Sequence, residues 1–292
     1  MSTEIMNQSA EIFVALQRLL PKHALSRLIA RAAESERPWL KDFLIKRAID
    51  AFDIDMDEAI SDNLDHYTNF NSFFTRALKP GVRPITRARR GLASPADGVI
   101  SQAGNIHINR ILQAKGIDYS VSRLLGSSDS AKVYKNGSFA TIYLSPKDYH
   151  RVHMPAAGTL VSSRYIPGEL FSVNDKTAQA LPGLFARNER LVCEFESKEL
   201  GRFSVIFVGA MLVAGIETVW GGFEQPGPGA VRERDHSKAS LSFKKGQEIG
   251  RFKFGSTVIL LFKDQAVNWE DHIRAGAQIN MGEKIAIAQA PE

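Results

Sequence analysis

One stretch of the sequence reads Gly255-Ser256-Thr257-Val258-Ile259-Leu260-Leu261-Phe262. The apolar run at its end is typical of a β-strand, and two hydroxyl residues stand where that strand begins. Gly255 has no Cβ atom, so its carbonyl group can be approached closely. We therefore hypothesise that the Ser256 hydroxyl attacks this carbonyl and that the chain cuts itself there. Taken alone, such a triplet is more often the start of an ordinary strand with solvated hydroxyls.

The composition is that of a folded protein with local excesses of positive charge. The chain has 292 residues, of which 44% are apolar and 24% charged, and its formal net charge is +5. Residues 12–31 and 71–96 contain several Arg and Lys residues and no acidic residue. Such segments suit a polyanion, either nucleic acid or an anionic lipid surface, although a solvated basic face is the commoner explanation. The single cysteine, Cys193, excludes an internal disulfide framework.

The chain changes character along its length, which predicts an α+β protein. Leucine and isoleucine recur at helical spacing in the first 50 residues, and strand-like runs bounded by glycine and proline dominate from about residue 92. We predict a helical, membrane-docking region over 1–66 and a β-rich catalytic domain over 67–292. A basic helix with a leucine stripe can lie in a membrane interface, but the same pattern fits a helix that packs on a core.

Three stretches contain residues that could carry chemistry. Asp97 lies in Ser94-Pro95-Ala96-Asp97-Gly98, His150 and His153 lie in residues 143–155, and Ser256 starts the strand described above. Serine needs a base, histidine is the usual base near neutral pH, and a carboxylate can orient the histidine. The alternatives are a hairpin corner at Asp97, structural hydrogen bonding of the histidines, or a metal site, for which a third ligand is not evident.

These stretches resemble the phosphatidylserine decarboxylases of the membrane-associated bacterial type. The similarity extends in the family's order over most of residues 70–265. It is carried by residues 94–98, 143–155, 167–174, 184–190, 208–210, 217–220 and 245–257. One residue departs from the family pattern, because Phe254 stands where leucine usually begins the cleavage tetrapeptide.

The resemblance implies a self-processing triad and a covalent cofactor. Ser256 would attack the Gly255 carbonyl, with His153 as base and Asp97 as orienting group. Cleavage would leave a β chain of residues 1–255 and an α chain of residues 256–292, which begins with a pyruvoyl group made from Ser256. This ketone would form a Schiff base with phosphatidylserine, release CO2 and give phosphatidylethanolamine, serving as the electron sink. No metal is expected, because the cysteine is alone and no other histidine-rich spacing offers a third ligand.

Two further residues are candidates for the decarboxylation step. His150, close to His153 in the sequence, is a candidate proton donor or a group that positions the substrate carboxylate. Ser172, in the Gly-Glu-Leu-Phe-Ser-Val-Asn stretch over 168–174, is a weaker candidate for contact with the lipid head group.

The substrate that the resemblance implies predicts where the protein works. A diacyl lipid stays in its bilayer, so we expect a peripheral protein on the cytoplasmic side of the cell membrane. The N-terminal helix and the segment from Arg76 to Arg90 would form the docking surfaces, and deletion of residues 1–35 would release the protein while self-cleavage continues. The α and β chains would stay together, a homodimer would fit the family, and no nucleic acid partner is expected.

Two other functions are also compatible with these residues. A conventional serine hydrolase could use the same three residues on an external ester, although the chain has no Gly-x-Ser-x-Gly elbow. A non-enzymatic basic module could bind membrane or nucleic acid. Only the self-processing hypothesis predicts that the purified protein consists of two chains.

Overall fold

The computed structural model describes residues 2–19, 21–211, 215–224, 229–253 and 256–289. The helices in these ranges are α1 (Ser2–Leu19), α2 (Lys22–Ala33), α3 (Pro38–Phe52), α4 (Phe70–Phe74), α5 (Val121–Leu125), α6 (Ser128–Lys132), α7 (Asp175–Ala180) and α8 (Leu184–Arg187), with a 3-10 turn at Leu64–His66. The three long helices come first, which confirms the predicted helical N-terminal region.

Strands dominate the rest of the chain and confirm the α+β class. They are β1 (Gly91–Ala93), β2 (Gly98–Asn105), β3 (Arg110–Ala114), β4 (Ile117–Ser120), β5 (Ser138–Leu144), β6 (Arg151–His153), β7 (Gly158–Ile166), β8 (Arg190–Ser197), β9 (Gly201–Val208), β10 (Ile216–Thr218), β11 (Gly222–Glu224), β12 (Arg232–Asp235), β13 (Ser242–Phe243), β14 (Glu248–Phe252), β15 (Ser256–Phe262), β16 (Val267–Trp269), β17 (Gln278–Ile279) and β18 (Lys284–Ala288).

The predicted strand after Gly255 is a central strand of the largest sheet. Within the described ranges this sheet has the order β12-β7-β8-β9-β15-β5-β2-β17, with β13 also paired to β7. β15 is antiparallel to β5 on one side and to β9 on the other, and all seven of its residues are buried. An interior strand covered on both faces needs apolar side chains on both, which explains the continuous run over 258–262.

The two faces of β15 belong to two different hydrophobic clusters. Val258, Leu260 and Phe262 pack in one cluster, whereas Ile259 and Leu261 pack in the other. Successive side chains of a strand point to opposite faces, so Ser256 belongs to the face of Val258 and Leu260. Strands β6 and β14 supply Val152, Ile249 and Phe252 to the same cluster, and they therefore cover the face on which Ser256 lies.

The N-terminal region is attached to the sheet domain by more than one contact. A third cluster joins Ile45 and Ala48 of α3 to the aromatic residues of the following segment, namely Tyr67, Phe70, Phe73 and Phe74. Helix α1 packs on α7, with Ala10, Val14 and Gln17 buried and Ile12 and Leu16 exposed. This helix therefore fits both explanations offered by its sequence, packing on a core and contact with a membrane interface. One of its faces packs on the protein and the other is exposed. The boundary at residue 66 stays a prediction.

The second basic segment is only partly the exposed surface that we predicted. Arg76 is buried, and the side chain of Arg83 is 11% exposed in an ion pair with two carboxylates. Both residues therefore belong to the interior, while Lys79, Arg87 and Arg89 remain exposed. Within the described ranges every helix is too short or too polar to cross a bilayer.

Candidate active site

The hydroxyl of Ser256 is buried and has no hydrogen-bond partner among the described residues. Ser256 is the first residue of β15, and its backbone lies opposite Leu144 of β5. Burying a hydroxyl without a hydrogen bond destabilises the folded state, and such groups are unusual in folded proteins. The predicted partner in cleavage, Gly255, lies outside the described residues, as does Phe254.

His153 has both ring nitrogens engaged. Its Nδ1 lies 2.9 Å from the carbonyl oxygen of Gly246, which can only accept, so Nδ1 carries the proton and donates it. Its Nε2 lies 3.1 Å from the hydroxyl of Tyr149, so the Tyr149 hydroxyl donates to the Nε2 lone pair. Burial lowers the pKa of His153 below its ordinary value, which keeps the ring neutral at pH 7. The imidazole is therefore in the form of a base.

Asp97 lies near His153 but its carboxylate binds other groups. Its oxygens accept hydrogen bonds from Nε and Nη2 of Arg83 at 2.7–3.0 Å and from the backbone N–H of Met281 at 2.7 Å. The segment before Asp97 does contact the histidine, because the backbone N–H of His153 donates to the Pro95 carbonyl at 2.8 Å. In the described ranges no hydrogen bond joins Asp97, His153 and Ser256 to one another, so the triad stays a prediction.

His150 is fully buried beside the aromatic residues of α4. Its ring centroid is 4.1 Å from that of Phe74, and its Nδ1 donates to the Asp148 carbonyl at 2.7 Å. The Nε2 lone pair is buried and has no partner among the described residues. Burial lowers the pKa of His150 to about 3, so the ring is neutral and Nε2 accepts protons rather than donating them. The predicted donor role therefore requires that His150 first take up a proton.

Ser172 contacts the N-terminal helix. Its backbone N–H donates to the side-chain oxygen of Gln17 at 2.8 Å, and its hydroxyl accepts from the Asn174 N–H at 3.4 Å. The amide nitrogen of Gln17 donates to the Thr177 hydroxyl at 3.3 Å. Helix α1 therefore reaches the loop in which the predicted head-group contact lies.

A cavity of about 430 Å³ opens beside Asp97. Arg76, Arg83, Lys147 and Tyr149 are among the residues that line it, and Tyr149 connects it to His153. No group of three or more His, Cys, Asp or Glu residues in the described part of the chain is arranged to hold a metal ion. The cavity is therefore a polar space beside Asp97, and of the predicted catalytic residues only Asp97 lines it.

Sequence reasoning missed several residues that bind the predicted site residues directly, among them Tyr149, Gly246 and Arg83. Tyr149 lies inside the histidine-containing stretch over 143–155, so attention to hydroxyls near His153 could have found it. Gly246 acts through its backbone carbonyl. Every residue has such a group, so the sequence gives no sign of this contact. Arg83 stood out only as one of several basic residues, and the sequence does not show that it meets Asp97.

Comparison with known proteins agrees with the resemblance of the motifs. A family model described as phosphatidylserine decarboxylase matches residues 70–287, and a second model, described as PSD, matches residues 12–53. A protein of Saccharophagus degradans is 48% identical over 96% of this chain and 98% of its own length. Relatives from Alcanivorax borkumensis and Pseudomonas entomophila are also 48% identical, over 96% of this chain and 97% and 99% of theirs. All three are named phosphatidylserine decarboxylase proenzyme.

Proposed function

The chain belongs to the phosphatidylserine decarboxylase family, and on this premise we propose that it converts phosphatidylserine into phosphatidylethanolamine and CO2. We propose further that it first cuts itself between Gly255 and Ser256. The observation that carries the proposal is the Ser256 hydroxyl, which is buried at the start of a central strand and has no hydrogen-bond partner among the described residues. The sheet holds its backbone in place, and no hydrogen bond within the described ranges has to break before the hydroxyl reacts.

His153 is the base for self-cleavage in this proposal. Its Nε2 lone pair takes the Ser256 proton while the hydroxyl oxygen attacks the Gly255 carbonyl carbon. The Gly246 carbonyl holds the ring in the required tautomer. The negative charges of Glu248 and Asp97 favour the protonated ring that forms, although burial is the larger influence on the His153 pKa and acts in the opposite direction. The Tyr149 hydroxyl has to leave Nε2 before Ser256 can use it.

The residues around Ser256 fit a pyruvoyl group at that position. The group replaces a side chain whose hydroxyl makes no hydrogen bond with the described residues, so no side-chain hydrogen bond of that part of the chain is lost when the serine is consumed. When present, the ketone supplies an electron sink for the electron pair that the departing carboxylate leaves behind.

His150 moves a proton at Nε2 during decarboxylation. Because its Nδ1–H is held by the Asp148 carbonyl, Nε2 is the ring nitrogen left to act as an acceptor. The substrate amine arrives as an ammonium ion. The negative charge of the substrate carboxylate beside the ring raises the pKa of His150 from its low value, so that Nε2 takes a proton from the ammonium and returns a proton to the carbon that loses CO2. Ser172 lies in the loop beneath α1 and is proposed to contact the lipid head group.

The α chain is proposed to stay within the fold after cleavage. β15 pairs along its length with β5 and β9, β17 pairs with β2, and β18 lies between β1 and β16. Every one of these neighbours except β16 precedes the cleavage site. The two chains therefore share hydrogen bonds in two sheets, and a homodimer of this pair remains a proposal from family resemblance.

We propose a peripheral position on the cytoplasmic face of the cell membrane. The N-terminal helices expose apolar side chains that single-domain proteins usually bury, namely Ile12, Leu16, Leu28, Trp39 and Phe43. Arg18, Arg27 and Arg31 are exposed on the same helices and suit anionic lipid head groups.

Release of CO2 from phosphatidylserine in mixed vesicles tests this function. We expect the purified chain to release CO2 and the Ser256→Ala variant to release none, because alanine cannot become a ketone. His150→Ala should still cut itself but decarboxylate roughly 10²–10⁴-fold more slowly, since general acid–base catalysis contributes about that factor. Full activity of Ser256→Ala would contradict the proposal.

A further inference from the structure

We propose that Arg83 is a positioning residue for self-cleavage, which acts by holding the Asp97 carboxylate in place as an anion. The inference deepens the proposed function, since it rests on the proposed part of Asp97 in chain cleavage. It assigns Arg83 no contact with the substrate or with the reacting atoms.

The hydrogen bonds of Asp97 leave no freedom for its carboxylate. Arg83 Nε donates to both oxygens at 2.9 and 3.0 Å, and Nη2 donates to Oδ2 at 2.7 Å. The Met281 N–H donates to Oδ1 at 2.7 Å. These four contacts come from three N–H groups, because the Nε–H is shared between the two oxygens, and together they hold both oxygens of the carboxylate. The planar fork of an arginine fixes both oxygens at once, which a single ammonium cannot do.

Burial makes the pairing necessary. The side chain of Asp97 is 5% exposed and that of Arg83 is 11% exposed. A buried carboxylate without a cation is strongly unfavourable, so its charge depends on a partner. Arg76 also lies close enough for its charge to act on Asp97, but within the described ranges Arg83 is the cation that binds the carboxylate directly.

The other side of the guanidinium is held by Glu58. Nη1 and Nη2 of Arg83 donate to the two Glu58 oxygens at 2.8 and 2.6 Å. The Glu58 carbonyl in turn accepts from the Lys79 N–H at 2.9 Å, which fixes the backbone beside the pair. Arg83 therefore cannot rotate away from Asp97 without breaking a second ion pair.

Three parts of the chain meet around the Arg83–Asp97 ion pair. Glu58 comes from the predicted membrane-docking region, Arg83 from the connection that follows it, and Met281 from the future α chain. His153 is connected to the Asp97 segment, because its backbone N–H donates a hydrogen bond to the Pro95 carbonyl. A displacement of Asp97 would thus reach His153 through two intervening residues, and misplacement by about 1 Å can slow a reaction by about 100-fold.

The rate of chain cleavage in full-length precursor, followed by intact-mass measurement, tests the proposal. We expect Arg83→Gln to slow cleavage about 10- to 100-fold. Arg83→Lys should recover part of the rate, because it restores the charge without the fork. Methylguanidinium added to Arg83→Ala should speed cleavage, whereas the same addition should leave Asp97→Asn slow.

Arg164→Gln is the matched control. The Arg164 side chain is 9% exposed and pairs with half-exposed Glu233, much as Arg83 pairs with Glu58, but it lies on β7 and does not contact Asp97. We expect this variant to cleave at the wild-type rate.

Two results would overturn the role of Arg83. The first is wild-type cleavage by Arg83→Gln. The second is equal slowing of the Gln and Lys variants without any response to methylguanidinium, which would mean a loss of packing only. An uncut wild-type chain would contradict the proposed function instead, and normal cleavage by Asp97→Asn would remove the premise on which Arg83 depends.

Discussion

The hydroxyl of Tyr149 is hydrogen-bonded to the histidine nitrogen that the proposed reaction needs as a base. It donates to Nε2 of His153, and burial raises the pKa of Tyr149 to about 12, so the hydroxyl keeps its proton at neutral pH. Tyr149→Phe removes this competitor while the ring remains. Because a hydrogen bond contributes about 0.5–1.5 kcal/mol net, we expect cleavage in this variant to be faster by up to about tenfold. Intact mass against time measures it, and slower cleavage would mean that Tyr149 relays the proton.

The second residue-scale prediction concerns pH and the free energy of unfolding. The unfolded chain protonates His150 below pH 6.5, whereas the folded chain resists protonation down to about pH 3. Below pH 6.5 the unfolded state therefore binds more protons, and stability falls by about 1.4 kcal/mol for each pH unit because of this residue. We expect His150→Gln to flatten the loss between pH 6.5 and 5 in urea titrations. His107→Gln, at an exposed position, should leave the slope unchanged. An unchanged slope in His150→Gln would contradict the account.

At the scale of elements, the N-terminal helices present an apolar surface that can be tested without disturbing the core. Trp39 and Phe43 are one turn apart on α3 and are 67% and 58% exposed. Changing both to serine should lower membrane affinity about tenfold or more, since a buried large apolar side chain contributes about 1.5–3 kcal/mol. Vesicle flotation measures this, with exposed Ile108→Ser as the control. Unchanged flotation of the double variant would place the docking surface elsewhere.

The same helices show why deletion of residues 1–35 is a less clean experiment. Val14 lies in the second hydrophobic cluster, and Gln17 binds the backbone of Ser172. Removing them would expose apolar surface and free the loop that contains Ser172, as well as remove the proposed membrane contacts. Point changes on the open face separate these effects.

A structural feature could be predicted when neighbouring residues in the sequence determine it, and not when it depends on residues far apart in the sequence. The strand after Gly255 follows from a continuous apolar run, and its central place follows from the need to bury both faces. Arg83 was not predictable in this way, because its role depends on meeting Asp97 and Glu58, which are 14 and 25 residues away. The basic segment that contains it was misjudged for the same reason, since residue type alone does not show that Arg76 and Arg83 lie inside.

At the scale of the whole molecule, the residues of the proposed α chain form part of the interior of the fold. The pairings of β15, β17 and β18 connect residues 256–289 to both the largest sheet and the three-stranded sheet. The proposed cleavage of one peptide bond would leave the pairings of residues 257–289 in place. On the proposed function, the fold therefore assembles as one chain and works as two.

Intact-mass analysis of purified, active protein tests the central claim most directly. The account predicts two chains, residues 1–255 and residues 256–292, with the second beginning in a pyruvoyl group that hydroxylamine modifies. A single uncut chain that decarboxylates phosphatidylserine and retains an ordinary serine at position 256 would contradict it.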